Sequence, residues 1–268
     1  MTAHKAISSD GTAIAWEEWG HPPGREILFL HGFNQCRLSW LRQAADPELA
    51  KRYRMVALDL RGHGESDKPP GADSYAADKL WGDDVAAVLA ASGLKRPVFV
   101  IWSYAGRIIA DYIRTHGAGA IGGVNFVAAR TRVERSMLGP GQRHFGAMKS
   151  QELTQNIAGI RAFLRACFEL QPTREDFETM LAFNMVVPAA VRALILGRDT
   201  DTIDATQSLA CPALVTHGTK DLLFLPSLAE YTATCIKGAK LSLYEGVGHA
   251  PFWEDAVRFN RELMEFVG

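Results

Sequence analysis

The sequence predicts an α/β protein built on a mostly parallel sheet of about eight strands, with flanking helices and a helical insertion. Three observations carry this. Short uninterrupted apolar runs, of the kind buried on both faces of a parallel sheet, recur along the chain. Segments with apolar residues at three- and four-residue spacing separate most of them. Between Arg130 and Ala210 the strand signal vanishes, so that stretch reads as an insertion.

The opening strands are His4 to Ser8 and Thr12 to Glu18, joined at Ser9, Asp10 and Gly11. An Asp-Gly pair accepts positive φ and suits a hairpin, so the sheet opens antiparallel. After the turn-rich run His21 to Gly24, the apolar run Ile27 to Leu30 begins the parallel part. Further strands are predicted at Met55 to Leu58, Val98 to Ile101, Val124 to Ala128, Ala213 to Thr216 and Leu241 to Tyr244. The helices are Tyr75 to Ser92, Ala105 to His116, Ser227 to Ile236 and Ala256 to Val267. Around the last, Phe252, Ala256, Phe259, Leu263 and Phe266 line one face and would pack on the sheet. The segment Gln151 to Leu196 reads as several helices divided at Pro172 and Pro188. The expected organisation is one core from residues 1–129 and 211–268, with residues 130–210 as a helical cap, or lid, over the sheet's carboxyl edge.

Composition narrows the function classes. The 268 residues are 47% hydrophobic and 22% charged, enough for one large core. Lys plus Arg number 29 against 30 Asp plus Glu, a net charge of -1, which disfavours nucleic acid and anionic membranes as partners. No leader-like or membrane-spanning apolar run is evident, so a soluble cytoplasmic protein is expected. Cys36, Cys167, Cys211 and Cys235 are scattered without metal-ligand spacing and read as free thiols. Neither metal nor organic cofactor is expected.

In the run Val98 to Ile108, VFVIWSYAGRI, Ser103 stands between a buried strand and a helix, beside small Ala105 and Gly106. Serine there also suits a helix N-cap. The run resembles the nucleophile elbow of the α/β-hydrolases, G-x-S-x-G, which implies Ser103 as nucleophile. Ile101 occupies the place of the first Gly and Ala105 that of the second; a β-branched residue two before the nucleophile crowds a strained turn. In Glu245 to Asp255, EGVGHAPFWED, His249 lies after the final strand, where a loop imidazole can take and return the serine proton. His31 and His63, each beside glycines near strand ends, are its rivals. Asp221, just past the strand in ALVTHGTKDLLFLP, is the candidate to hold the imidazole tautomer. It completes the order Ser, Asp, His of this fold; Asp199, Asp201 and Asp204 are weaker candidates.

Acyl transfer also needs donors for the oxyanion. The strand Ile27 to Leu30 ends in His31-Gly32-Phe33, which resembles the family's oxyanion loop and implies the backbone N–H groups of Phe33 and Tyr104 as the two donors. Asn34, Trp102, Arg130, Phe145 and Phe252 are the candidate pocket residues, with Met148, Phe163, Phe168, Met180 and Phe183 as further aromatic or Met side chains of the cap. Trp102 equally suits the core, and Arg130 a scaffold ion pair. Asp59 and Arg61, in the run Arg54 to Asp67, are expected to hold scaffold. These motifs together are similar to small bacterial carboxylesterases, cofactor-free perhydrolases and N-acyl-homoserine lactonases of the α/β-hydrolase family. The resemblance implies a small-molecule ester or lactone substrate, cleaved through an acyl-enzyme. It leaves open a perhydrolase, a carbon–carbon bond hydrolase, a receptor with a slow site, and a homodimer. Activity is expected to rise with pH through ionisation of His249, at about 6.5 for a free imidazole.

Overall fold

The computed structural model describes residues 4–132, 134–198 and 202–268. Gly11 takes φ 87° and joins β1 (His4–Ile7) to β2 (Ala13–Gly20) as an antiparallel pair. The remaining strands are β3 (Arg25–Leu30), β4 (Tyr53–Leu58), β5 (Val98–Trp102), β6 (Gly123–Val127), β7 (Ala213–Gly218) and β8 (Lys240–Tyr244). They form one sheet of eight in the order β1-β2-β4-β3-β5-β6-β7-β8. β2 meets β4 antiparallel; from β4 to β8 every pairing is parallel. β6 and β7 are buried at every position, as strands covered on both faces must be.

The flanking helices follow the sequence periodicity. α1 (Asp78–Ser92) packs on α2 (Ala105–His116), while α6 (Pro226–Cys235) and α7 (Ala256–Val267) precede and follow β8. In α7 the predicted stripe is buried at Phe259 and Leu263. The predicted helix Tyr75 to Ser92 is broken: Ala77 is extended, at φ -78° and ψ 131°. The break releases carbonyls that a continuous helix would consume. Of these, buried Arg61 takes Ser74 O and Trp81 Nε1 donates to Tyr75 O at 3.0 Å; Arg61 also reaches Leu80 O, within the first turn of α1.

Between β6 and β7 lie α3 (Leu153–Ala166), α4 (Arg174–Met185) and α5 (Ala189–Leu196), with Pro172 and Pro188 in the breaks. Among the described residues this segment adds no strand to the sheet, only an isolated bridge from Leu138 to Phe224. No single described helix is long and apolar enough to cross a membrane. Asp59 and Arg61 are both fully buried: Asp59 binds Arg37, and Arg61 binds Asp84 and Asp10.

Candidate active site

Among the described residues, three that are not glycine sit at positive φ, and each follows a parallel strand: Asn34 after β3 at 62°, Ser103 after β5 at 55°, Ala128 after β6 at 43°. Such conformations persist only where their surroundings over-determine them, and they mark functional ends of sheets. At Ser103 the surroundings are backbone. Its N–H donates to Val127 O at 3.0 Å, and its carbonyl accepts from Gly106 and Arg130 N–H at 3.0 and 2.8 Å. The turn has no room for a side chain at Gly106 and little at Gly32. A Cβ on Gly106 would lie 2.6 Å from Arg130 O, and one on Gly32 would lie 3.1 Å from Ser103 Cβ. Ile101, expected to crowd the turn, instead pairs with Leu30 and Phe126 inside the sheet. The crowding falls on Gly32 and Gly106.

Asp221 and His249 are brought together. Nδ1 of His249 lies 2.6 Å from Asp221 Oδ2. A carboxylate only accepts, so Nδ1 carries the proton and donates it. Nε2 is then the ring's lone-pair nitrogen, and it is buried with no hydrogen-bond partner among the described residues. Asp221 Oδ1 accepts from Leu223 and Phe224 N–H at 2.7 and 3.1 Å. Burial by itself raises the Asp221 carboxyl, but the His249 ring, its hydrogen bond, His217 and the Leu223 N–H outweigh burial and hold it below the ordinary carboxylate value.

The His249 loop is tied on every side. Its N–H donates to Cys167 O at 2.9 Å, just past α3, and its carbonyl accepts from Trp102 Nε1 at 2.9 Å. Glu254 accepts the N–H groups of Gly248, Glu169 and Leu170 at 3.0, 2.9 and 2.8 Å. The ring lies between Trp102 and Phe224, at 5.6 and 5.7 Å between centroids. The rival histidines are scaffold. His31 Nε2 accepts Leu60 N–H at 3.0 Å, and His63 Nε2 accepts Asn34 N–H at 3.1 Å. Burial pushes their pKa values down to about 4 and about 3. Asp204 pairs with Arg114, away from this site; Asp199 and Asp201 lie outside the described residues.

Ser103 opens on a cavity of about 230 Å³. Phe33, Tyr104, Arg130, Phe145 and Phe224 are among its walls, with Ile195, Leu196 and Arg198 at the end of α5. The backbone N–H groups of Phe33 and Tyr104 have no acceptor among the described residues, as donors kept for a ligand would. Three predicted pocket residues do not line the cavity. Asn34 is fully buried, with its side chain spent on Asn184 and Arg192. Trp102 and Phe252 pack on each other at 4.8 Å, and Phe252 on Trp40 at 4.4 Å. Trp102 takes the core role, its indole N–H holding the His249 loop.

Of the other cap residues named from sequence, Met148 and Phe163 are core side chains. Sequence reasoning missed His217, whose Nε2 donates to Phe224 O at 2.9 Å and faces Asp221 Oδ2 at 3.2 Å. Burial lowers its pKa, which keeps the ring neutral beside the carboxylate. Its place four residues before Asp221 was the available signal. Arg192 and Arg198 were also missed, and no pattern in a helical segment marks an arginine as buried. Among the described residues no group of three His, Cys, Asp or Glu side chains is placed to hold a metal.

Strand order, the turn at Ser103 and the order in which acid and imidazole follow it are those of the α/β-hydrolase fold. The chain belongs to the alpha/beta hydrolase family, whose profile matches residues 27–262. The esterase RhEst1 from Rhodococcus sp. ECU1013 superposes with a TM-score of 0.92 at 32% identity, over 100% of this chain and 98% of that one. The non-heme chloroperoxidase CPO-A1 from Kitasatospora aureofaciens is 28% identical over 96% of this chain and 97% of its own length. Est816, an N-acyl homoserine lactone degrading enzyme, is 25% identical with a TM-score of 0.77, over 97% of this chain and 99% of that one. The chain is thus a member of a hydrolase family whose similar proteins include esterases, a lactonase and haloperoxidases.

Proposed function

We propose that the protein hydrolyses small carboxylic esters or lactones through an acyl-enzyme on Ser103. The observation that carries this reading is the buried Asp221–His249 pair, at 2.6 Å, whose Nε2 is left open as a proton acceptor. Ser103 Oγ attacks the carbonyl carbon as Nε2 takes its proton, and the oxyanion receives the Phe33 and Tyr104 N–H groups. The intermediate collapses with breakage of the acyl carbon–oxygen bond, and the imidazolium returns the proton to the leaving alkoxide. Water deprotonated by His249 then attacks the acyl carbon, and a second collapse frees the acid and Ser103.

Cavity size sets the substrate class. About 230 Å³ lies below the roughly 300–1,000 Å³ of sites for drug-sized ligands. Walls of Phe33, Phe145 and Phe224 suit a short acyl chain or an aryl group. Residues 130–210 act as the cap that supplies one wall. A panel of p-nitrophenyl esters and simple lactones tests this: turnover should be highest for short acyl chains, and Ser103→Ala should abolish it while the variant stays folded. Undiminished turnover by Ser103→Ala would overturn the nucleophile assignment. The chloroperoxidase relative favours a second reading on the same residues, in which hydrogen peroxide in place of water takes the acyl group and leaves as a peracid. Peracid release from acetate and peroxide, abolished in Ser103→Ala, is its signature.

A further inference from the structure

Two buried guanidiniums leave one short stretch of the helical segment, Arg192 within α5 and Arg198 two residues beyond its end. A guanidinium taken out of water ordinarily has a carboxylate beside it. Arg198 has two: its Nη2 donates to Asp111 Oδ2 at 2.7 Å and to Asp78 Oδ1 at 2.9 Å. Arg192, 1% exposed, has none among the described residues. Its acceptors are neutral: Asn34 Oδ1 at 2.7 Å, and Met148 O, Asn156 Oδ1 and Asn184 O at 3.0 Å each. Burial draws its pKa down to about 10. A planar fork satisfied on four sides holds its acceptors in place.

The first of those acceptors belongs to the loop of the expected oxyanion hole. Asn34 follows Phe33, takes φ 62°, and is held through three groups. Oδ1 meets Arg192, Nδ2 donates to Asn184 Oδ1 at 2.6 Å, and its N–H donates to His63. The second arm of the hole is Tyr104. Its hydroxyl accepts from Arg198 Nη1 at 3.1 Å, and Arg198 lies over the Trp81 ring at 4.6 Å.

We propose that Arg192 and Arg198 are positioning residues through which α5 and the chain just beyond it clamp both arms of the oxyanion hole: Arg192 by way of Asn34, Arg198 by way of the Tyr104 hydroxyl. Seating the helical segment on the sheet edge and assembling the hole are then one event. The clamp rests on the acyl-transfer reading above. Neither arginine touches the reacting atoms through this role; each sets where a backbone N–H points.

The test is a pair of double-mutant cycles on a short p-nitrophenyl ester, with wild type and Ser103→Ala run alongside. Arg192→Met and Asn34→Ala should each lower kcat about 10- to 100-fold, the scale of a misplaced donor, with KM within about threefold of wild type. Their combination should lose less than the product of the two single losses, because the Arg192–Asn34 bond is removed by both. Affinity for a boronic acid, which forms a tetrahedral adduct on Ser103, should fall in step with kcat, while affinity for the product acid stays put. Tyr104→Phe should lower kcat several-fold, and Arg198→Met should lower kcat by less in the Tyr104→Phe background than in wild type, because both remove the Arg198–Tyr104 bond. If Arg192→Met does not fold, Arg192→Lys, which keeps the charge and loses the fork, should show the same kcat loss.

Unchanged kcat in folded variants, a loss confined to thermal stability, or multiplying losses in the double variants would overturn the clamp. Wild type as inactive as Ser103→Ala on every ester would instead defeat the acyl-transfer reading, and the clamp with it.

Discussion

Gly106→Ala places one methyl group where the turn at Ser103 has no room for it. The added Cβ would stand 2.6 Å from Arg130 O and 3.0 Å from its carbonyl carbon and nitrogen. These are backbone atoms, so no side chain can swing aside. Restoring ordinary contact at roughly 3.5 Å needs the first turn of α2 and the chain after β6 to separate by about 0.9 Å. The hydrogen bond from Arg130 N–H to Ser103 O, 2.8 Å long, would then stretch past useful length. Losing it costs about 1 kcal/mol and overpacking adds about 1–3 kcal/mol, so a loss of roughly 2–4 kcal/mol is expected. In a chain of this size that is a fall of about 5–15 °C in Tm. Because the shift moves Ser103 itself, kcat should fall by about 100-fold. Denaturant unfolding and ester turnover measure the two effects. A variant within about 0.5 kcal/mol of wild type and equally active would refute the claim that backbone contact with Arg130 sets the strained serine.

Two further outcomes follow from the site. Trp102→Phe deletes the N–H that holds the His249 carbonyl at 2.9 Å; it should cost about 1–2 kcal/mol and lower kcat several-fold with KM little changed, and unchanged kcat would show that the indole only fills space. His63 bears on acid stability. Its folded pKa of about 3 lies below the unfolded value of about 6.5, so the unfolded chain takes up protons first. The stability it contributes is complete above the unfolded value and is lost progressively as pH falls toward about 3. His63→Asn should therefore flatten the slope of unfolding free energy against pH, between about 6 and 4.5, by about 1.4 kcal/mol per pH unit. Asp111, raised by burial to about 6, has the opposite slope, and comparing the two proteins cancels it. Parallel slopes would mean that His63 is protonated without cost.

The sheet was legible because each buried strand is an apolar run with a turn at its end, and α2 and α7 match their predicted bounds because their stripes face a flat surface. The break at Ala77 was not legible, since the demand for free carbonyls comes from Arg61, distant in sequence. The places of Ser103, Asp221 and His249 after β5, β7 and β8 showed in the sequence. Their supports did not. His217, Glu254, Arg192 and Arg198 owe their positions to burial and to partners on other elements, which no local pattern encodes. Asn34, Trp102 and Phe252 were misplaced in the pocket for the converse reason: adjacency in sequence to Phe33, Ser103 and His249 says little about which way a side chain turns at a strand end, where successive residues face opposite sides.

The bonds that anchor His249 run outward as well as inward. Cys167 O, Glu169 N–H and Leu170 N–H belong to the turn between α3 and α4, inside the helical segment, yet they grip the histidine loop and Glu254. The insertion is thus a keystone, set by the same backbone that fixes the His249 loop. If the proposed ester hydrolysis holds, grafting a foreign insertion between β6 and β7 to change substrate choice would therefore disturb the His249 loop along with the pocket. Changes confined to Leu138, Gln142 and Phe145, which line the cavity away from those anchors, would alter selectivity and leave the anchors of the histidine in place.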